Sequence, residues 1–326
     1  MKNNILFFFK THYFTIIKWL IFIGSLLFII NKIFFQQEFK QILNYSKFSN
    51  INNILYLLMV LILMTINWGI ESFKWKLAVN KFNQITFIKS YSAILSGIAI
   101  SIFMPNRTGE FVGRIFFLKS ENRVKGTIAS IITSYSQLIA TIIFGSIGIL
   151  LLYIFYPVNV LTQNKINWLI NIPVFVVATI STLLYFKIKW FSYFIENWKF
   201  LKKYSDSAKL LNSYKLKELF VFLVLSIIRY FVFLLQFYLL IKVFNIDISF
   251  LQSIIASIIT FYVSTIIPTF AIAEIGVRGT VASIFFGFFS NMQTEIIFAS
   301  TLLWIINIGI PAIIGNIFVA KYKFQK

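Results

Sequence analysis

Residues 127–155 read TIASIITSYSQLIATIIFGSIGILLLYIF and contain no charged side chain. At about 1.5 Å per residue, a helix of this length exceeds the roughly 30 Å hydrocarbon core of a bilayer. The stretch therefore predicts a transmembrane helix. Similar apolar runs recur along the chain, and they predict six full spans at about 16–35, 53–73, 127–155, 166–188, 218–243 and 296–320.

The composition of the 326-residue chain agrees with a polytopic, all-α membrane protein. Hydrophobic residues make up 59% and charged residues 12%, and the mean hydropathy is +0.84. A soluble domain is about half apolar and a quarter charged. These values exclude a soluble enzyme, a disordered chain and a disulfide scaffold. Because cysteine is absent and His12 is the only histidine, thiolate catalysis and metal sites built from Cys or His are excluded too.

Two further apolar regions, about 85–119 and 250–290, are interrupted by the sequences MPNR at 104–107 and IPTF at 267–270. If each region leaves the membrane on the side it entered, 23 of the 30 Lys and Arg residues share the side of the N-terminus, and 5 lie on the other side. This asymmetry agrees with the positive-inside rule. We therefore predict two re-entrant broken-helix hairpins, in a cell (cytoplasmic) membrane, with both termini cytoplasmic.

The formal net charge of +20 indicates an anionic partner. The basic residues flank the apolar runs and form no separate domain, so we expect an anionic membrane surface and no nucleic acid. Segment 187–217 carries eight lysines interleaved with aromatic residues. This mixture is typical of a helix lying on an anionic leaflet, although a positively charged loop is an alternative.

The predicted layout divides a single membrane domain, residues 1–326, into halves of about 1–160 and 161–326. Each half has two spans, a hairpin and a third span, so the second half is inverted relative to the first. The breaks also share a motif, since PNRTGEFVGR at 105–114 and PTFAIAEIGVR at 268–278 each place an Arg four residues after a Glu. We predict two inverted repeats, which in many transporters place the substrate site at the repeat interface.

Charged side chains at membrane depth form the candidate site. Such a charge costs at least about 2.5–3.5 kcal/mol on insertion scales, so it needs a partner, a water-filled cavity or a function. Glu110 and Arg114, like Glu274 and Arg278, have the i,i+4 spacing of a helical ion pair. Each pair could serve only to neutralise itself and fix its hairpin. Alternatively, helix ends at the breaks favour anions, and the arginines could bind a lipid phosphate there.

Arg229 lies near the centre of the span 218–243 and has no carboxylate within one turn. It needs a partner from another element, for which a hairpin glutamate or Glu71 is suitable. Polar Asn67 and Gln137 within spans are typical of interhelical hydrogen bonds. The predicted substrate-binding residues are Arg107, Glu110, Arg114, Arg229, Glu274 and Arg278.

The sequence PNRTGE at 105–110, followed by Arg114, resembles the PGRxGE-type motif of the lysylphosphatidylglycerol synthase transmembrane-region family, the flippase-like integral membrane proteins. The sequence IGVR at 275–278 resembles that family's second motif, P-x-x-G-G-x-G-x-R-E. Here Asn replaces the usual Gly of the first motif, Glu274 stands where Gly is common, and Gly279 stands where the final Glu is usual. The resemblance is to the membrane region, without the soluble synthase domain, and it implies lipid translocation without lysyl transfer.

The expected function is thus a lipid translocator for a charged headgroup. Phosphate would meet Arg114 and Arg278, with Arg107 at the cytoplasmic mouth, while the acyl tails stay in the bilayer. Membrane lipids, above all anionic phospholipid, are the expected partners, and no cofactor is expected. The alternatives are a transporter of a small anion or a polyprenyl-phosphate-linked glycan, and a non-transporting membrane partner of an envelope-biosynthesis enzyme. No metal or nucleotide motif is present, so we expect no enzymatic activity.

Overall fold

The computed structural model describes residues 50–104, 107–155, 164–199, 201–269 and 271–321. Every regular element in these ranges is a helix. The main helices are α1 (Ile51–Val79), α2 (Phe87–Ser101), α3 (Gly109–Ile115), α4 (Arg123–Phe155), α5 (Asn164–Phe186), α6 (Lys189–Asn197), α7 (Leu216–Val243), α8 (Phe250–Ile266), α9 (Ala271–Phe286) and α10 (Gln293–Lys321). Short helical turns lie at Ser120–Asn122, Lys202–Tyr204, Ser205–Ala208 and Leu210–Ser213.

Four helices, α1, α4, α7 and α10, are long and apolar enough to cross a membrane, at four of the six predicted positions. The predicted span 166–188 corresponds to α5. Its axis bends by 79° before α6, and the two count as a fifth span only if the bent pair is taken together. The predicted first span, 16–35, lies outside the described residues. The described part of the chain thus contains four candidate spans, or five with the bent pair.

Helix α1 continues beyond the predicted end of its span at residue 73. The side chain of Asn50 caps its start by accepting a hydrogen bond from the Asn52 backbone NH at 3.0 Å. The helix runs on to Val79, and Lys74, the first residue after the predicted span, is completely buried. The helix can bury this cation because Glu71, one turn earlier, faces it as a counterion.

The first interrupted region folds as an antiparallel hairpin. By length, α2 reaches about 22 Å and α3 about 10 Å, so neither arm crosses a bilayer by itself. The arms touch through glycine: a Cβ on Gly97 would lie 2.7 Å from the Glu110 carbonyl oxygen, and one on Gly109 would lie 2.7 Å from the Ile100 carbonyl oxygen. Gly113 faces the Gly97 backbone. Small residues therefore allow α3 to run back along α2.

The second interrupted region also breaks where the sequence predicts. A capping box begins α8, because the Ser249 side chain accepts from the Gln252 NH at 3.2 Å and the Gln252 side chain accepts from the Ser249 NH at 2.8 Å. The helix ends at Ile266, before Pro268, and α9 begins at Ala271. The two arms pack against each other.

The two predicted halves interlock. The long arm of the first hairpin, α2, packs along α10, the last span of the second half. The first arm of the second hairpin, α8, packs along α4, the last span of the first half. Between them, α1 packs along α7, and both contact α4. Each hairpin is therefore held in part by the other half. In addition, α3 packs against α4, and α9 packs against the first part of α10.

Candidate functional site

A cavity of about 280 Å³ lies between the two hairpins and the spans α1, α4 and α7. Its polar wall includes four of the five arginines of the chain. Aromatic rings of Trp68, Tyr230, Phe233 and Phe261 form much of the apolar wall. The charged residues that line the cavity are Glu71, Arg107, Glu110, Arg114, Arg229 and Arg278.

Glu71 of α1 is the centre of the inner part of the site. Its carboxylate lies 2.9 Å from Lys74 Nζ, 3.1 Å from an Arg114 guanidinium nitrogen and 3.2 Å from Arg229 Nη1. Arg114 also pairs with Glu110 at 2.9 Å, which confirms the predicted i,i+4 contact. The partner of Arg229 is thus Glu71, one of the three predicted candidates. One carboxylate here faces three cations.

Arg229 is held in place on all sides. Its guanidinium carbon lies 4.6 Å from the centre of the Trp68 ring and 5.4 Å from that of Phe233, within the range of cation–π contacts. Its Nε donates to the side-chain oxygen of Asn67, and its Nη1 donates to that of Gln137 at 3.4 Å. The predicted interhelical roles of Asn67 and Gln137 are therefore confirmed, and both residues belong to the site.

Lys74, which the sequence analysis did not assign to the site, lies behind Glu71 and does not line the cavity. Its Nζ donates to Ser226 Oγ of α7 at 2.9 Å, and Ser226 Oγ lies 2.8 Å from Ser136 Oγ of α4. The signal available in the sequence was its i,i+3 spacing from Glu71. Lys74 therefore links the charge centre to both neighbouring spans.

Glu274 joins the two hairpins. Arg107, at the first break, donates to its carboxylate through Nη2 at 2.7 Å and Nε at 3.1 Å. Arg278 donates to it at 2.8 Å, as the i,i+4 spacing predicts. Trp304, just before the π-helical turn Ile305–Gly309 of α10, donates its indole NH at 3.3 Å. Glu274 does not itself line the cavity, but it positions two arginines that do. The bridge from Arg107 was not predicted.

The arginines divide by exposure. The side chains of Arg114 and Arg229 are only 2% and 9% exposed, whereas those of Arg107 and Arg278 are 27% and 29% exposed. The inner pair is fixed by protein partners, and the outer pair is accessible to a ligand. Of the three arginines predicted to meet a phosphate, Arg107 and Arg278 are partly exposed, whereas Arg114 is almost completely buried.

The site carries an excess of positive charge. Among the described residues, five cations (Arg107, Arg114, Arg229, Arg278 and Lys74) face three carboxylates (Glu71, Glu110 and Glu274), which leaves two positive charges unbalanced. Buried charges are costly unless they are paired. The arrangement is chemically suited to an anion.

The described residues contain no cluster of three or more His, Cys, Asp or Glu side chains that could hold a metal ion. No curated protein and no solved structure matches the chain significantly. A family model, described as the lysylphosphatidylglycerol synthase TM region, matches residues 15–315, which is nearly the whole chain. The chain therefore belongs to the lysylphosphatidylglycerol synthase transmembrane-region family, a family of helical, multi-pass membrane proteins associated with lipid or envelope biosynthesis.

Proposed function

We propose that this protein is a lipid translocator that moves a phospholipid or lipid-linked intermediate with a charged headgroup across the bilayer. The observation that carries the proposal is the unbalanced positive charge around a cavity between two broken-helix hairpins. An anionic phosphodiester would balance one of these two charges. The family supports a role in lipid or envelope biosynthesis. Translocation of this kind needs no catalytic group, and we propose no enzymatic step.

The walls of the cavity support a lipid in preference to a small hydrophilic anion. Arginines stand directly beside apolar side chains, among them Phe233, Phe261 and Leu138. A free inorganic anion gains no favourable contact from apolar side chains, whereas a lipid has a polar headgroup joined to apolar chains. A cavity of about 280 Å³ is suited to a headgroup alone. The acyl chains would therefore remain outside it, among the exposed apolar residues of the surrounding helices.

Arg107 and Arg278 are the proposed phosphate ligands. Both side chains are partly exposed and share the single carboxylate of Glu274, so the three together carry one net positive charge. Arg278 uses only its Nε for that carboxylate, which leaves its terminal nitrogens for a phosphate. Deeper in the cavity, the buried Nε of Arg114 has no hydrogen-bond partner among the described residues and could donate to the same headgroup.

We also propose that the two hairpins are re-entrant and belong to inverted repeats. The matched packing of α2 along α10 and of α8 along α4 supports this, because an exchange of the halves maps one contact onto the other. The matching Glu110–Arg114 and Glu274–Arg278 pairs support it too. The distribution of Lys and Arg favours a cell membrane location with cytoplasmic termini.

Lipid flipping in proteoliposomes tests the proposal. Fluorescent phosphatidylglycerol and phosphatidylethanolamine, with a membrane-impermeant quencher, report the fraction of lipid that reaches the outer leaflet. Arg278→Ala is the informative variant, because Glu274 keeps Arg107 as a partner and no buried charge loses its last counterion. Arg123→Ala is the matched control, since Arg123 is the one arginine of the chain that does not line the cavity.

We expect flipping by the wild type and by Arg123→Ala, and a strong loss with Arg278→Ala. Equal traces for the wild type and for empty liposomes would refute the proposal. Uptake of labelled inorganic phosphate or sulfate in the same vesicles, without lipid flipping, would instead favour a small-anion transporter.

A further inference from the structure

The inner part of the site contains more positive charge than its protein partners balance. Around Glu71 lie Lys74, Arg114 and Arg229, all within 3.2 Å of one carboxylate. Glu110 adds one more negative charge, on the far side of Arg114. Among the described residues, one positive charge therefore remains without a counterion in a cluster whose Glu71, Lys74 and Arg114 side chains are at most 2% exposed. A cavity without an anion leaves this charge uncompensated, which is unfavourable in a buried site.

Only one of these cations can respond by giving up its charge. Arginine remains protonated in proteins, whereas a buried lysine can lose its proton. Lys74 is 0% exposed and faces charged groups from three elements: Glu71 on its own helix, Arg114 from α3 and Arg229 from α7. Its other contact, the Ser226 hydroxyl, donates its own proton to the Phe222 carbonyl and accepts a hydrogen bond from Lys74, which both a charged and a neutral lysine can donate. Both states of Lys74 are thus accommodated by the same partners.

We propose that the binding of an anion in the cavity is coupled to the binding of one proton at Lys74. Without an anion, the repulsion from Arg114 and Arg229 favours release of the Lys74 proton to water. With an anion in the cavity, its negative charge compensates the cluster, and Lys74 takes a proton from the aqueous phase and keeps it. The inference rests on the proposed function, because it takes the anion to be the phosphate of the lipid headgroup.

This coupling gives the protein a source of direction. If Lys74 takes up its proton on the side where the headgroup enters and releases it on the side where the headgroup leaves, lipid and proton move together. The lipid then moves preferentially from the more acidic side of the membrane to the less acidic side. The Glu71 carboxylate connects the bound anion to Lys74, because it lines the cavity and also lies 2.9 Å from Lys74 Nζ. A lysine that served only to tie α1 to Ser226 of α7 would show no such link between proton and anion.

The experiment is calorimetric titration of the purified full chain with dihexanoyl phosphatidylglycerol, whose phosphodiester does not titrate near neutral pH. Repeating each titration in buffers of different ionisation enthalpy gives the number of protons taken up per lipid bound. The titrations cover about pH 6 to 9, where a perturbed lysine can titrate. We expect uptake of up to one proton per lipid, and an affinity that falls by up to about tenfold per pH unit on the alkaline side.

Two variants and one control make the test specific. Lys74→Arg keeps the charge but cannot release a proton, and Lys74→Met has a similar size but no charge. We expect both to bind the lipid without proton uptake and without the pH dependence. Lys81→Met is the control, because Lys81 is on the same chain segment but pairs with Glu218 at 2.7 Å, away from the cavity. It should retain wild-type proton uptake.

The outcomes separate this inference from the proposed function. Lipid binding by the wild type without proton uptake, or proton uptake that persists in Lys74→Arg, would overturn the coupling and leave the anion site intact. If neither Lys74 variant folds, wild-type lipid binding without proton uptake still overturns the coupling. An absence of lipid binding together with an absence of flipping would overturn the proposed function, and the coupling with it.

Discussion

The contact between α2 and α3 predicts a sharp difference between two glycine-to-alanine substitutions. In Gly97→Ala, the new methyl group would lie 2.7 Å from the Glu110 carbonyl oxygen and 3.3 Å from its Cα. Favourable contacts lie at about 3.5–4.0 Å, so the two arms must separate by roughly 0.8 Å or more. Overpacking of this kind costs about 1–3 kcal/mol. The shift would also move Glu110 and Arg114, which are in the segment that separates.

Gly276→Ala is the matched control, because it makes the same change in the second hairpin at a glycine whose new methyl group would contact nothing within 4 Å. Gly276 lies inside α9, where alanine is favoured over glycine by about 0.5–1 kcal/mol. We therefore expect Gly97→Ala to lower the melting temperature by several degrees, at about 2–4 °C per kcal/mol. Gly276→Ala should leave it unchanged or raise it slightly.

The melting temperatures of both variants are measured by heating the fluorescently tagged protein in detergent. Size-exclusion chromatography then reports the fraction that remains folded at each temperature. A Gly97→Ala variant as stable as the wild type would refute the close packing of the first hairpin. A large loss of stability in Gly276→Ala would refute the open space beside Gly276. Gly97→Ala should also reduce lipid flipping, because this substitution displaces the segment that holds Arg114 against Glu71. Gly276→Ala should not reduce it.

Three further predictions concern the charges and the exposed aromatic residues. Glu71→Gln leaves three buried cations facing a neutral amide, at a cost of about 3–5 kcal/mol, and should sharply reduce the monodisperse fraction on size exclusion. Glu274→Gln removes the shared carboxylate, so its melting temperature should fall further than that of Arg107→Gln, which leaves Glu274 with its second arginine; equal shifts would contradict this sharing. Trp190 and Trp198 are 61% and 49% exposed, and lipids with a quencher near the headgroup should quench their fluorescence, so that replacing both with Phe should reduce the quenched fraction.

The last of these predictions rests on the geometry of α6. The axis of the chain turns by 79° where α5 ends, so that α6 runs across the direction of the preceding span. Its buried position is a polar one, Ser192, which binds Glu196 and Asn212, while Trp190, Tyr193 and Phe194 face outward. Such a helix, with lysines at its ends, is suited to the headgroup region of an anionic leaflet. The absence of quenching would favour the alternative of a solvated basic loop.

Local patterns in the sequence predicted the parts of the molecule that depend on local interactions. Apolar runs located α1, α4, α7 and α10, and the prolines and glycines of the two breaks located the hairpins. The i,i+4 spacing predicted the contacts of Glu110 with Arg114 and of Glu274 with Arg278, because a helix brings such residues together whatever surrounds it.

Contacts between distant elements were harder to predict. Arg107 and Glu274 are 167 residues apart, and nothing in their spacing could reveal that the first break reaches the second hairpin. Lys74 was missed for a different reason. At the end of an apolar run, a lysine is typical of a membrane boundary. Its burial depends on Ser226 and Arg229 of α7 and on Arg114 of α3, which meet only in the folded protein.

The backbone at Arg107 shows how the two hairpins are coupled. Its φ of 57° lies in the left-handed region, which favours glycine and costs a non-glycine residue about 1–3 kcal/mol. An arginine at this position therefore requires a compensating interaction, and the two hydrogen bonds to Glu274 provide one. Weakening those bonds, for example when a phosphate competes for the guanidinium, would favour a change of backbone conformation at the break. Within the inner cluster, Glu71 and Lys74 lie on the continuous span α1 and Arg229 on the continuous span α7. An anion would therefore alter the contact between the hairpins more readily than it would move Glu71 or Arg229. We accordingly expect anion binding to change the backbone conformation at Arg107.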